Sequence, residues 1–355
     1  MFKQASSSLL GATPQPLYQG VENSGLIDSP LLDSALPALA RWGASGERGV
    51  LVTLVNVEGS APRPIGAEMA VNAAGDIIGH IAVDCLGEAI RAEALNVLKD
   101  GKNRLIRFGE GSPYIDLKLP CGSGIDLYFD GSLKPTDLNS MATLLNKRSP
   151  FTLSRKLCTR NAAEPHTAHD HCAISPYRAE RQTGQDEADE THFHRNYLPA
   201  PQFLIAGTGP APIELAKLAR QQGSTVTLLT PSNENYEALQ SAGITTIPWQ
   251  SAGTAIEAYV DPFTACALLF HDHDKELELL PALLKQAPFY IGAMGSRKTH
   301  QTRLQALKAR GHDEECLSKI KGPAGLIPLA KNPALLALSI YSEILAEAQA
   351  RNLIC

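Results

Sequence analysis

The chain has 355 residues, 44% of them apolar and 19% charged, with 32 basic against 37 acidic side chains and a net charge of −5. That length predicts about two domains, and the apolar fraction excludes disorder as the main state. The lack of a basic excess speaks against a nucleic-acid partner, no apolar run reaches membrane-spanning length, and the start MFKQASSSLLGATPQ lacks the apolar core of a secretory signal. We therefore expect a soluble, cytoplasmic protein.

Residues 1–25 show no periodicity and read as a loose arm. Residues 26–195 read as a mixed α+β domain. A helix is expected over Leu31–Trp42, where Leu32, Leu36 and Leu39 share one face. Val50–Val57 (VLVTLVNV) is a β-branched, apolar run, so a buried strand. Ala67–Asn72 and Ile77–Ile81 read as two strands about the turn Ala74-Gly75-Asp76. A helix over Leu86–Lys99 follows, with Leu86, Ile90, Ala94 and Val97 at helical spacing. Strands at Arg104–Phe108, Ile115–Leu119 and Ile125–Phe129, a helix over Pro135–Leu145 and a hairpin around 151–182 complete the domain. Residues 160–195 are polar and read as a long hairpin loop and exposed linker. The boundary falls near Pro199-Ala200-Pro201.

Over 197–355 strands and helices alternate. Strands are expected at 203–206, Thr225–Leu229, Ala265–Phe270 and Phe289–Ile291. Helices are expected at Ile213–Gln222, Asn233–Ala242, Lys275–Gln286 and Ala334–Arg351, the last opened by Pro333. This alternation predicts a Rossmann-like, doubly wound parallel sheet. The fold class is α/β, with the mixed α+β domain in front.

Seven cysteines stand at 85, 121, 158, 172, 266, 316 and 355, an odd number with no CxxC pair. Neither a disulfide framework nor a zinc ribbon fits. Cys85 differs from the bulk: Asp84 could cap a helix from Leu86, placing the thiol at a helix N-terminus, where its pKa falls. Cys121 lies in Pro120-Cys121-Gly122-Ser123-Gly124, a turn whose successive N–H groups can cradle an anion. The other five read as incidental thiols.

Four further segments could bear chemistry. Gly59-Ser60-Ala61-Pro62-Arg63-Pro64-Ile65-Gly66 is a proline-stiffened loop presenting Arg63, suited to phosphate or carboxylate, or simply a rigid turn. Gly207-Thr208-Gly209-Pro210-Ala211-Pro212 lies between a strand and a helix, where parallel sheets hold phosphate. Its two prolines remove N–H donors, and the next strand ends at Thr230 with no acid for a ribose, so NAD(P) fits poorly. His271-Asp272-His273-Asp274 follows a strand and could hold a metal, or be a polar loop with caps. Gly295, Ser296, Arg297 and Lys298 enter a helix with the character of an anion site. The cluster His166, His169, His171, Cys172, His192 and His194 reads as a solvated loop.

VLVTLVNVEGSAPRPIGAEM, the region from Cys85 to Glu88, LPCGSGIDLYF, FLIAGTGPAP, HDHDKELELL, YIGAMGSRKTHQTRL and GPAGLIPLAKNPALLALSIYSEIL stand in an order that resembles the XdhC/CoxI family of molybdoenzyme accessory proteins. The resemblance covers roughly 35–130 and 197–346. It implies a factor that binds the molybdenum cofactor (molybdopterin or its dinucleotide form), supports its sulfuration with a cysteine desulfurase, and delivers it to an apo molybdenum hydroxylase of the xanthine dehydrogenase type. It also implies a homo-oligomer. Cys85 and Cys121 would then be the working thiols. Arg63, Ser60, Gly122, Gly207, Gly209, Gly295, Ser296 and Arg297 would hold the cofactor, in a cleft between the domains. The chain departs from the family pattern at Val83-Asp84, Pro210, Pro212, Thr230 and Leu335-Leu336. A cofactor-binding insertion factor without turnover of its own is the first reading. An NAD(P)-dependent oxidoreductase is the alternative, and a metal-dependent hydrolase using His271, Asp272 and His273 a third.

Overall fold

The structure, a computed structural model, describes residues 34–81, 84–112, 123–158, 163–165, 172–178, 183–186, 189–231 and 236–354. The N-terminal unit opens with α1 (Leu36–Ala44), which carries Pro37 in its first turn. It starts later than the expected Leu31; residues 31–33 lie outside the described range, and so does the expected strand Ile115–Leu119. There follow β1 (Gly49–Glu58), β2 (Glu68–Asn72), β3 (Ile77–Gly79), α2 (Asp84–Asp100), β4 (Lys102–Gly109), β5 (Gly124–Asp130), α3 (Pro135–Asn146), β6 (Phe151–Lys156), β7 (Ala163–Pro165), β8 (Cys172–Pro176), β9 (Gly184–Asp186) and β10 (Asp189–Tyr197).

One antiparallel sheet runs β3-β2-β1-β5-β4-β7 and a second runs β8-β6-β10-β9. Alternate side chains of β1 face opposite ways, and both faces are covered. Val50, Val52 and Leu54 pack under Leu86, Ile90, Ala94 and Val97 of α2. Leu51 meets α1, α3 and Phe151 of the second sheet, and Val55 meets Phe193. That is why VLVTLVNV is apolar nearly throughout rather than alternating.

The second sheet corrects the expectation of a loop and linker over 160–195. β8 and β10 flank β6, with Arg195 opposite Leu153 and Cys172 opposite Arg155. The segment looked solvated because much of what it buries is polar. His194 and Arg195 are buried beside Phe193, and His194 Nδ1 is 2.7 Å from Ser154 Oγ.

The C-terminal unit comprises β11 (Gln202–Gly207), α4 (Pro210–Gln221), β12 (Val226–Thr230), α5 (Tyr236–Ser241), β13 (Thr245–Pro248), α6 (Ala252–Tyr259), β14 (Thr264–Leu269), α7 (His273–Gln286), β15 (Tyr290–Ala293), α8 (Arg297–Ala309), α9 (Glu314–Ser318), β16 (Ile320–Lys321) and α10 (Pro333–Ala350). All strands are parallel, in the order β13-β12-β11-β14-β15-β16. This is the dinucleotide-fold order, 3-2-1-4-5-6 when the strands are counted from β11. α4 and α10 cover one face, and α6, α7 and α8 the other. The order reverses between β11 and β14, so the crevice for a ligand opens where those strands finish.

Arg148, just past α3, ties the units together. Its Nε bonds Asp261 Oδ2 at 2.6 Å, Nη1 the carbonyl of Ala200 at 2.9 Å, and Nη2 the carbonyl of Phe263 at 3.3 Å. Asp261 and Phe263 precede β14, so this tie lies where the parallel strands begin. The glycine loops leave from the opposite end, about 20 Å away along a six-residue strand.

Candidate functional site

The sequence motifs form two sets, one in each unit. In the first, β1 and β5 pair with Glu58 opposite Gly124. The chain turns at Gly59, with φ +85°, and a Cβ there would stand 3.0 Å from that of Ser123. The Gly59–Gly66 loop therefore lies against the residue two places after Cys121. Ser60 is exposed and Arg63 half-buried. Arg48 Nη1 donates to the carbonyl of Leu98 at 3.2 Å, which sets the last turns of α2 beside the start of β1. The first turn of α2, with Cys85, points toward the other end of β1, and Leu86 shares a core cluster with Ala61 of the loop. α2 begins at Asp84 rather than at Leu86. Asp84 and Cys85 are the first described residues of this helix, and the cap expected of Asp84 cannot be read because residues 82–83 lie outside the described residues. Cys121 and Gly122 lie outside the described residues.

Two arginines that the motifs did not reveal brace this end. Arg107 is buried, with Nη1 3.0 Å from Glu58 Oε1 and 3.2 Å from Asp126 Oδ2, and Nε 3.0 Å from the carbonyl of Glu110. Burial works against its charge, but the hydrogen bond to Glu58 and the nearby carboxylates outweigh it and raise its pKa further. The guanidinium crosses the backbone of Gly124, where a Cβ would come within 2.2 Å of Nη2. Arg195 does the same at Gly66, 2.6 Å from the place of a Cβ. It lies 3.6 Å from the buried Glu68, which also accepts from Ser34 Oγ at 2.9 Å and from Tyr197. Their only signal in the sequence was a charge set inside an otherwise buried strand.

Three further cysteines are poor nucleophiles. Burial and the charge of Asp130 push the Cys172 thiol up to about 11. Burial raises Cys266 further, and a hydrogen bond to Asp313 raises Cys316.

In the second set, Gly207 and Gly209 have different work. A Cβ on Gly207 would stand 2.5 Å from the carbonyl oxygen of Leu269, so this glycine lets β11 and β14 close up. Gly209 has φ +83° and open space where a Cβ would point. It leads into α4, whose first and third residues are Pro210 and Pro212. The helix start keeps the Ala211 N–H but lacks theirs. Across the crevice, His271 and Asp272 are exposed. Asp272 Oδ1 accepts from the Asp274 amide at 3.1 Å and caps α7. Among the described residues no group of three or more His, Cys, Asp or Glu stands close enough to hold a metal. The capping alternative for Asp272 is thus seen in the geometry, while the His273 side chain, part of the expected metal trio, lies outside the described residues.

After β15 the chain turns at Gly295, with φ +138°. Ser296 caps α8, its Oγ accepting from the Thr299 amide at 3.1 Å, and Arg297 is exposed in the first turn. Beneath lies a pair that sequence reasoning passed over. Arg303 Nε and Nη2 are 2.8 and 2.7 Å from Glu276 Oε2, and Nη2 also donates to the carbonyl of Met294 at 2.7 Å. Both side chains are buried. They fasten the loop after β15 to the first turn of α7, which follows β14.

Residues 42–109 match the family model described as the XdhC and CoxI family, and residues 203–344 match the XdhC Rossmann domain. The chain is 32% identical over 302 residues to the molybdenum cofactor insertion chaperone PaoD of Escherichia coli K12, across 84% of this chain and 83% of that one. The chain belongs to the XdhC and CoxI family. The uncharacterized protein YqeB of Escherichia coli K12 is a more distant relative, 26% identical over 146 residues, 41% of this chain and 27% of that one. A crystal structure described as a xanthine dehydrogenase from Bacillus halodurans shares the fold, with a TM-score of 0.71 over 90% of this chain and 96% of that one at 21% identity. In this XdhC and CoxI chain the first model spans the Ser60–Arg63 loop, Cys85 and Arg107. The second spans both glycine loops and the Glu276–Arg303 pair.

Proposed function

We propose that this protein is a maturation factor for a molybdenum enzyme. It carries the molybdenum cofactor as cargo, supports its sulfuration and delivers it to an apo molybdenum hydroxylase of the xanthine dehydrogenase type. The observation that carries this reading is the identity with a molybdenum cofactor insertion chaperone along more than four-fifths of both chains. The donor set supports it. The cargo is anionic and phosphate-bearing, which suits Ser60 and Arg63 at one end of the first sheet. Gly209, Gly295, Ser296 and Arg297 offer open backbone, a helix start and a cation at the crevice of the second. Gly207 allows the neighbouring backbone to come close, and Gly122 would serve the cargo from the turn after Cys121. The soft thiolates would be Cys85 and Cys121, ligands suited to a thiophilic metal centre and to sulfur arriving from a cysteine desulfurase. We place the protein in the cytoplasm, as a homo-oligomer that binds cargo and releases it without turnover of its own. No helix among the described residues is long and apolar enough to cross a membrane.

The test is to purify the protein from cells that make molybdopterin, oxidise it, and measure fluorescent pterin against a control protein. Bound pterin is expected. Its absence, with NADH binding on titration, would replace this reading by the NAD(P)-dependent oxidoreductase. Cys85→Ala and Cys121→Ala are expected to lower bound molybdenum, or activation of the hydroxylase, to near the control in at least one variant. Full retention of both properties by both variants removes the thiols from the mechanism.

A further inference from the structure

The loop after β15, which carries Gly295, Ser296 and Arg297, rests on a histidine that the proposed function does not use. The His300 amide donates to the carbonyl of Ser296 at 2.9 Å, so the histidine stands one turn of α8 beyond that residue. Its ring is half-buried and makes two contacts. Nδ1 is 3.2 Å from Arg303 Nη1. A guanidinium has no acceptor, so the bond runs from Arg303 to Nδ1 and the ring proton lies on Nε2. Burial and the charge of Arg303 hold the His300 pKa below the ordinary imidazole value, which keeps the Nδ1 lone pair available at neutral pH. The other contact is with Gly322, the residue after β16, where a Cβ would stand 2.2 Å from Nδ1. The buried guanidinium of Arg303 thus has a fixed use for each nitrogen. Nε and Nη2 hold Glu276 in the first turn of α7, Nη2 also holds the Met294 carbonyl, and Nη1 has His300 as its partner among the described residues. The chain segments that leave β14, β15 and β16 all meet this cluster. Glu276 and Arg303 join the first two, and His300 adds the third.

We propose that His300 is a positioning residue for the cargo. It sets the direction of the Arg303 fork. Through the Met294 carbonyl the fork in turn sets the backbone from which Gly295, Ser296 and Arg297 meet the anion. Loss of the Nδ1 acceptor leaves a buried N–H of Arg303 without its partner. The guanidinium then turns to find another, at the expense of the Met294 carbonyl. This rests on the cargo reading under Proposed function. A packing role would ask only for the volume of the ring against Gly322. Positioning asks for an acceptor at the place of Nδ1, and the two requirements separate by substitution.

The experiment follows the release of molybdopterin from the full chain purified from cells that make it. The freed pterin is oxidised and its fluorescence read over time. His300→Leu keeps the bulk of the ring and removes the acceptor, while His300→Asn offers Oδ1 at the place of Nδ1. His300→Leu is expected to release pterin about tenfold faster than wild type, the scale of one hydrogen bond to a charged group. His300→Asn is expected to restore the wild-type rate, and both are expected to melt cooperatively. Should His300→Leu fail to fold, His300→Gln takes its part with the same expectation, because its amide reaches the place of Nε2 and not that of Nδ1. Release from the acceptor-free variant at the wild-type rate overturns the proposal, and so does His300→Asn releasing as fast as that variant. Nitrogen NMR of histidine-labelled wild type is expected to show His300 neutral with its proton on Nε2, the resonance being assigned by its loss in His300→Asn. A proton on Nδ1 overturns the proposal without reference to cargo. A wild type that carries no pterin removes the cargo reading and this inference with it, whereas retained pterin with any of the contrary results removes this inference alone.

Discussion

An alanine at position 207 would drive its Cβ into the carbonyl of Leu269, and backbone in the middle of a parallel sheet cannot step aside. An alanine at position 209 would meet nothing and carry only the strain of a positive φ. Gly207→Ala is therefore expected to cost about 3 kcal/mol, as overpacking does, and Gly209→Ala about 1 kcal/mol. Urea denaturation of both variants checks the order, and equal midpoints would refute it. The sequence treats these two glycines alike, because both belong to one turn between a strand and a helix. What separates them is Leu269, more than sixty residues away, which no local pattern can announce. The same holds for Asp272. Its alternation with histidine hints at a metal and its position before a helix at a cap, and the cap becomes visible only in the bond to the Asp274 amide.

Between elements, the buried Glu276–Arg303 pair joins the loop after β15 to α7. Removing the cation leaves a carboxylate buried without its main partner, and such losses run to about 3–5 kcal/mol. Arg303→Met is expected in that range. Arg303→Lys is expected to lose less, because it keeps the charge but not the fork that reaches Glu276 and the Met294 carbonyl together. Urea unfolding measures both, and Glu276→Gln with Arg303→Met closes a double-mutant cycle. A negligible coupling energy would show that the two loops are not joined through this pair. The elements themselves were largely readable, since β1, α2, α4 and α10 follow from apolar spacing and from Pro and Gly at their ends. The second antiparallel sheet was not. Its strands bury arginine and histidine, and burial of charge depends on partners in other strands, so polarity alone makes 160–195 read as a hairpin loop and linker.

For the molecule as a whole, Arg148 sets a pH dependence. Burial tends to raise the pKa of Asp261, but the hydrogen bond and charge of Arg148, with the Thr264 hydroxyl and Phe263 amide, hold it below the ordinary value. A carboxyl held low when folded stabilises above its unfolded pKa, about 3.9, and that contribution is lost as pH falls through the lower folded value. Wild type is therefore expected to lose stability more steeply below about pH 4 than Arg148→Met. Unfolding midpoints at stepped pH test this, and parallel acid limbs would count against it. The parallel sheet showed in the alternation of strands and helices along the chain. The tie at the beginning of that sheet did not, since it joins residues more than a hundred positions apart. One local feature recurs across both units. Arg107 lies over Gly124 and Arg195 over Gly66, and Arg220 and His300 sit the same way over Gly243 and Gly322. At Gly124 the neighbour cannot swing away, because Glu58, Asp126 and the Glu110 carbonyl hold it. Position 124 is closed to every side chain for as long as position 107 is arginine, and opens only when that residue shortens. In evolutionary terms the heritable unit is the pair, so substitutions at 107 and 124 should arrive together in descendants of this sequence.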